Sequence, residues 1–155
     1  MKKIFLILLI TFTTLTIQAQ ENLEWHTDLG KAITISKKTK KTLFLFFTGS
    51  DWCGWCIKLQ KEVFKTPEFT KWAKENVVLL ELDFPKRTPQ AEGLKNQNAN
   101  LNAFFRVQGY PTVWFTNATQ GAEGKIEFSP LGNIGYVAGG PSAWIEGANK
   151  VLANK

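Results

Sequence analysis

The sequence predicts a single α/β domain, and three observations carry that prediction. Two apolar runs, residues 42–48 and 77–82, have the length and composition of strands covered on both faces. Around them lie stretches whose apolar residues recur every three or four positions, the spacing of amphipathic helices. The chain of 155 residues, 44% hydrophobic and 13% aromatic, can bury one core without staples, and no repeat, low-complexity tract or linker divides it.

The first nineteen residues stand apart from that domain. Met1-Lys2-Lys3 is a short positive start, residues 4–17 are apolar but diluted with threonine, and Ile17-Gln18-Ala19 offers a cleavage site ending in a small residue. Residues 1–19 are therefore expected to be a signal peptide and 20–155 the mature domain. An uncleaved anchor is the alternative, although the apolar run falls short of the roughly 20 residues a spanning helix needs. No cysteine follows the run, so lipid attachment there is excluded. Export predicts a periplasmic or secreted protein working among oxidised thiols.

Charge narrows the partners. The formal net charge is +6 from 19 basic and 13 acidic residues, and loss of Lys2 and Lys3 would leave +4. Lys37-Lys38 and Lys40-Lys41 form the densest group, read as a solvated helix end where lysines suit the negative dipole. No aromatic-interleaved basic motif accompanies them, which argues against a nucleic-acid partner.

In order, Trp25, Leu29, Ala32, Ile33 and Ser36 predict a helix of about three turns. The strand at residues 42–48 follows, and Gly49-Ser50 turns the chain. Ile57, Leu59, Val63 and Phe64 continue as a helix. Thr66-Pro67-Glu68 restarts it with a hydroxyl cap, a proline in the first turn and an acid at the positive dipole end. Phe69, Trp72 and Ala73 give the new helix its apolar face. After the second strand, residues 86–100 read as a loop leading into a helix with Leu101, Phe104 and Phe105 on its buried side. Gly109-Tyr110-Pro111 breaks it, residues 112–116 form a strand, residues 117–124 are turn-rich, and residues 125–128 return as a hairpin arm. Gly139-Gly140-Pro141 opens a last helix with Trp144, Ile145, Ala148, Val151 and Leu152 on one face.

The chemistry sits at Asp51-Trp52-Cys53-Gly54-Trp55-Cys56, where both cysteines of the chain stand at the start of a helix. A dithiol at that place is a thiol–disulfide exchange site. Backbone N–H groups and the dipole at a helix start favour a thiolate. Lowering a thiol from a pKa of about 8.5 to about 7 raises the ionised fraction more than tenfold at neutral pH. A structural staple competes with this reading, but closing so short a loop removes only about 2 kcal/mol of unfolded-state entropy. A zinc site wants four ligands, and only His26 joins the two cysteines, so no metal is expected. Haem attachment needs a histidine where Ile57 stands.

These features together resemble the thioredoxin fold. The string from Phe47 to Cys56, followed by Lys58-Leu59 and Glu62-Val63-Phe64, with Gly109-Tyr110-Pro111-Thr112 far downstream, is similar to exported bacterial thioredoxin-like proteins. That branch is related to the C-terminal domain of the thiol:disulfide interchange proteins. The likeness covers roughly residues 25–153. It implies a central mixed β-sheet flanked by helices and a redox-active Cys53–Cys56 pair in which Cys53 attacks and Cys56 resolves. It also implies a cis peptide before Pro111, lying beside the dithiol, and client contact through Trp52, Gly54, Trp55, Tyr110 and Pro111. Gly54-Trp55 would tune the redox potential.

No cofactor is implied. The partners implied are client proteins with disulfides and a membrane electron donor, and a monomer is expected. One departure stands out: thioredoxins carry a buried aspartate six residues before the attacking cysteine, and here Phe47 occupies that position. Water, Asp51 or Glu81 would have to take the proton of Cys56. Asp51 otherwise reads as a turn or cap residue, His26 as a surface or cap residue, and Asn117-Ala118-Thr119 as turn chemistry that happens to match a glycosylation sequon. The function expected is a disulfide reductase. A disulfide oxidase or isomerase, and an interaction or chaperone module with an incidental dithiol, are the alternatives.

Overall fold

The structure, a computed structural model, describes residues 22–121 and 125–154. The expected signal peptide lies outside the described residues. Among those residues no helix is long and apolar enough to cross a membrane.

Five strands form one sheet: β1 (Trp25–His26), β2 (Thr42–Thr48), β3 (Val77–Asp83), β4 (Thr112–Gln120) and β5 (Ile126–Ile134), in the order β1-β3-β2-β4-β5. β3 runs parallel to both β1 and β2, whereas β4 is antiparallel to β2 and β5. The sheet is therefore mixed, as expected. Every residue of β2 is buried, because it lies at the centre with helices on both faces. Register is set by pairs such as Leu45 with Leu80 on one side and Trp114 on the other.

Alternation along β2 divides the core into two halves. Phe44 and Phe46 point to one face with Leu59, Phe64, Phe69, Phe115 and Trp144, and this half also holds Cys53 and Cys56. Leu43, Leu45 and Phe47 point to the other, against Ala32, Ile33, Leu101 and Phe105. The first half is covered by α2 (Gly54–Leu59), α3 (Pro67–Asn76) and α5 (Gly140–Leu152), the second by α1 (Leu29–Thr39) and α4 (Glu92–Phe104). Trp144 is fully buried, and its indole N–H donates to the carbonyl of Gly135 at 2.9 Å, so the largest core side chain leaves no polar atom stranded.

Caps set the helix boundaries. Asp28 accepts the N–H of Lys31 at 2.7 Å and starts α1, and Lys40 in the left-handed region at φ 56° ends it. Thr66 accepts from Phe69 at the start of α3, with Pro67 in its first turn, as the sequence predicts. Between α2 and α3 the chain winds as a π-helical turn, Gln60–Phe64.

Five expectations are corrected. Trp25 does not begin α1; it pairs with Leu79 in β1, and its ring packs within 6 Å of Phe44, Phe46 and Phe64. His26 is buried rather than at the surface, because the same strand docks it against β3. Phe104 is 56% exposed, while Leu101 on α4 and Phe105 just after it supply the buried apolar contacts. α4 begins at Glu92, inside the segment read as leading into a helix, and polar side chains anchor it. Buried Asn98 donates to the carbonyl of Asp83, and Gln97 bridges Thr27 and Leu29. Residues 117–120, read as turn, continue β4 against residues 126–129 of a β5 that runs on to Ile134, since pairing with a neighbouring strand outweighs local turn propensity. β5 bulges opposite Phe115 and Thr116. Pro130, which has no N–H to give, is tolerated on this edge strand.

Candidate active site: a dithiol between two tryptophans

β2 delivers the chain to a turn at the C-terminal end of the sheet, and α2 starts there. Cys53 is the N-cap of α2, and its Sγ accepts the backbone N–H of Cys56 at 3.2 Å. The two cysteines are joined, Sγ to Sγ at 2.07 Å. Cys56 is completely buried, whereas Cys53 keeps a 6% exposed edge. That difference is what an attacking and a resolving sulfur require. The first must be reached from outside, and the second must be reached only from the first.

The Tyr110–Pro111 peptide bond is cis. Tyr110 packs against the half of the core that contains the cysteines, and its ring meets Trp52 edge-on at 5.9 Å. Phe84 stacks on the other side of Tyr110 at 5.2 Å, and the Tyr110 hydroxyl donates to Asn102 at 3.0 Å. Burial holds that phenol above its usual pKa. The structure thus brings Trp52, Cys53, Cys56 and Tyr110-Pro111 to one place. Trp52 and Trp55 are 37% and 59% exposed. Gly54 opens α2 at the surface, with nothing within 4 Å of where a Cβ would stand.

The turn before Cys53 is tied to the segment after β3 by two carboxylates acting in opposite directions. Asp51 accepts the backbone N–H groups of Lys86, Arg87 and Thr88 at 2.9, 2.8 and 3.0 Å, and the Thr88 hydroxyl as well. Asp83 accepts the N–H and hydroxyl of Ser50 at 2.8 and 2.6 Å. The Trp52 indole N–H donates to the carbonyl of Phe84 at 2.8 Å. The Lys86 ammonium rests 4.0 Å from the centre of the Trp52 ring, a cation–π contact. Gly49 lies under that ring, and a Cβ there would stand 2.5 Å from the indole. The hydrogen bond from the Lys86 N–H, joined by those from Arg87 and Thr88, holds the Asp51 carboxyl down at about 2 against the opposing effect of desolvation.

Asp51 is therefore more than a turn residue, and its charge is committed to this segment. It is not placed to accept protons at neutral pH. Phe47 packs on Phe105 at 6.2 Å in an apolar cluster, so no carboxylate replaces the aspartate of thioredoxins at this position. Glu81 on β3 is the carboxyl whose pKa rises, first by burial and then by the charge of Asp83.

A second cluster flanks the dithiol on the helix side. Trp55 packs on Tyr136 at 5.2 Å, and the Lys58 ammonium lies 5.0 and 5.1 Å from the two ring centres. The Tyr136 hydroxyl donates to Glu62 at 2.6 Å, and that bond raises the phenol above its usual pKa. Sequence reading gave no place in the site to Tyr136, Glu62 or Lys86 and missed the clamping role of Asp51. Their partners are 74 and 35 residues away in the chain, and no local spacing announces them. His26 lies on β1, at the far edge of the sheet from the hairpin, and plays no part in either cluster. Among the described residues no group of three or more His, Cys, Asp or Glu side chains could hold a metal ion.

A dithiol at a helix start beside a cis-proline turn on a five-stranded mixed sheet defines a class, and residues 29–129 match the model of the thioredoxin-like domain. The chain belongs to the thioredoxin-like family and is a thiol–disulfide oxidoreductase. It is 37% identical over 120 residues to the disulfide bond reductase DsbH of Chlamydia pneumoniae, covering 77% of this chain and 72% of that one. It is 35% identical over 116 residues to the thioredoxin-related protein DsbJ of the same organism, covering 72% of this chain and 33% of that longer protein. The solved structure of a DsbH oxidoreductase superposes with a TM-score of 0.74 at 35% identity, covering 87% of this chain and 88% of that one.

Proposed function

We propose that the protein is an exported reductase of client-protein disulfides. Cys53 would be the attacking sulfur and Cys56 the resolving one, and a membrane-bound dithiol donor would keep the pair reduced. The observation that carries this reading is the difference between the two sulfurs: Cys53 caps α2 with an exposed edge and an N–H directed at its sulfur, while Cys56 is sealed one turn below. Similarity to a protein named a disulfide bond reductase supports the direction, and the charged-then-apolar start of the sequence supports export.

The Cys53 thiolate attacks one sulfur of a client disulfide, a mixed disulfide forms, and the first client thiolate leaves. The Cys56 thiol loses its proton and attacks the Cys53 sulfur. The second client thiolate leaves, and the Cys53–Cys56 disulfide seen here results. Two electrons pass to the client, and the donor dithiol returns them in the same way. The N–H of Cys56 favours the Cys53 thiolate both as nucleophile and as leaving group. Trp52, Gly54, Trp55 and the Tyr110-Pro111 turn would receive the client segment, whose backbone would pair beside Tyr110 as an added strand. Glu81, lifted by burial, would take the proton of Cys56 by way of water. The protein would act as a monomer.

Equilibration of the Cys53–Cys56 pair with glutathione tests the direction. A reduction potential near the thioredoxin value of about −270 mV is expected. A value near the strongly oxidising figure of about −120 mV would reverse the assignment to an oxidase.

A further inference from the structure

We propose that the two tryptophan–lysine pairs beside the dithiol form a recognition surface for disulfides set in acidic segments of client proteins, an inference that rests on the reductase reading above. Each exposed tryptophan next to the active cysteine carries an ammonium over its ring. Lys86 lies 4.0 Å from the Trp52 centre on one side, and Lys58 lies 5.0 Å from the Trp55 centre on the other. The two lysines come from different parts of the chain, one from the segment after β3 and one from α2, yet each ends over a tryptophan that flanks Cys53 in the sequence.

The carboxylates nearby keep their charge, but their oxygens are engaged by the protein itself, whereas the ammonium groups are left to meet a client. Asp51 takes three backbone N–H groups and a hydroxyl, Asp83 takes both donors of Ser50, and Glu62 takes the Tyr136 hydroxyl. Lys58 shares Glu62 only at 4.0 Å. Lys86 and its neighbour Arg87 are exposed and make no ion pair among the described residues. The exposed parts of the two indoles that the ammonium groups leave uncovered offer apolar contact to the disulfide and its methylenes. The ammonium groups over the rings offer charge to side chains one or two positions away along an extended client. A carboxylate there gains a partner on either side of the sulfur under attack. A lysine there meets like charge, which both weakens binding and slows encounter.

The test uses three synthetic peptides of equal length, each with one disulfide and with Asp, Gln or Lys two residues to either side of it. Each is reduced by the pre-reduced protein and, for its intrinsic reactivity, by dithiothreitol. Two exposed charge contacts of ordinary strength predict that the protein favours the acidic over the basic peptide by about tenfold beyond the dithiothreitol ratio. The preference should shrink toward that ratio between about 20 mM and 500 mM salt, as the screening length falls. The double variant Lys58→Gln, Lys86→Gln should show no preference at either salt, with a melting temperature within a few degrees of the parent's, since exposed cation–π contacts are worth only about 0.5–1 kcal/mol each. Equal rates for the three peptides, or a preference that survives high salt, would overturn the proposal and leave the reductase reading intact. Failure to reduce any of the three would remove both.

Discussion

The two sides of the dithiol are built differently. Before Cys53, the turn of residues 49–52 is fastened to residues 83–88 by the crossed carboxylates of Asp51 and Asp83 and by the Trp52 indole N–H, and the indole lies tight over Gly49. After Cys53, Gly54 and Trp55 face solvent. A ring contact to Tyr136 and the Lys58 ammonium, backed by Glu62, are the ties that Trp55 makes. Charge-assisted hydrogen bonds to backbone fix a position, whereas exposed ring stacking leaves room to adjust. The lesson is that the approach to Cys53 is fixed by many directed bonds, whereas the helix side is held by few.

The comparison breaks most visibly at its two glycines. Gly49→Ala drives a Cβ into the Trp52 indole, and overpacking of this kind costs about 1–3 kcal/mol. Chemical denaturation should show that loss, together with a shift in Trp52 fluorescence as its N–H leaves the Phe84 carbonyl. Gly54→Ala, with no neighbour to meet and a helical position to fill, should instead leave stability unchanged or raise it by about 0.4–1 kcal/mol. Equal effects at the two sites would deny that the flanks differ.

Asp51→Asn sharpens the comparison next. It removes the charge from three backbone bonds, so amide exchange at Lys86, Arg87 and Thr88 should quicken by about tenfold, while exchange along α2 stays as it was. The pH dependence follows in sign. A carboxyl held below its usual range contributes stability that is complete above its unfolded value of about 3.9 and is lost as pH falls toward about 2. The same three amides should therefore lose protection between those values in the parent protein but not in the variant. The smallest effect belongs to the other flank: Tyr136→Phe removes the hydroxyl on Glu62 yet keeps the ring on Trp55, so quenching of Trp55 by acrylamide should hardly change.

What the sequence made legible follows the same division between local and distant causes. The strands at residues 42–48 and 77–82, the restart at Thr66-Pro67 and the dithiol at a helix start were readable because runs, caps and spacing are local. The fold and the cis bond at Pro111 came with the family resemblance carried by Cys53, Cys56 and Tyr110-Pro111. Trp25 misled because its spacing to Leu29 fits a helix, while its docking on Phe44 and Phe64 depends on a sheet edge not visible in sequence. Residues 117–120 misled in the opposite sense, since their turn-forming side chains give way to pairing with β5. Asp51 and Lys86 were individually visible, but their meeting is a product of topology: β2 and β3 are parallel neighbours, so their C-terminal loops arrive side by side.

The central claim is the division of labour between the two sulfurs, and one measurement tests it most directly. Reduced Cys56→Ala and Cys53→Ala proteins are each mixed with a disulfide-bonded client, and the covalent adducts are counted by intact mass after acid quenching. Cys56→Ala should accumulate a mixed disulfide through Cys53, while Cys53→Ala, its remaining sulfur sealed from solvent, should stay at background. Adducts of equal abundance on the two variants, or none on the first, would contradict it.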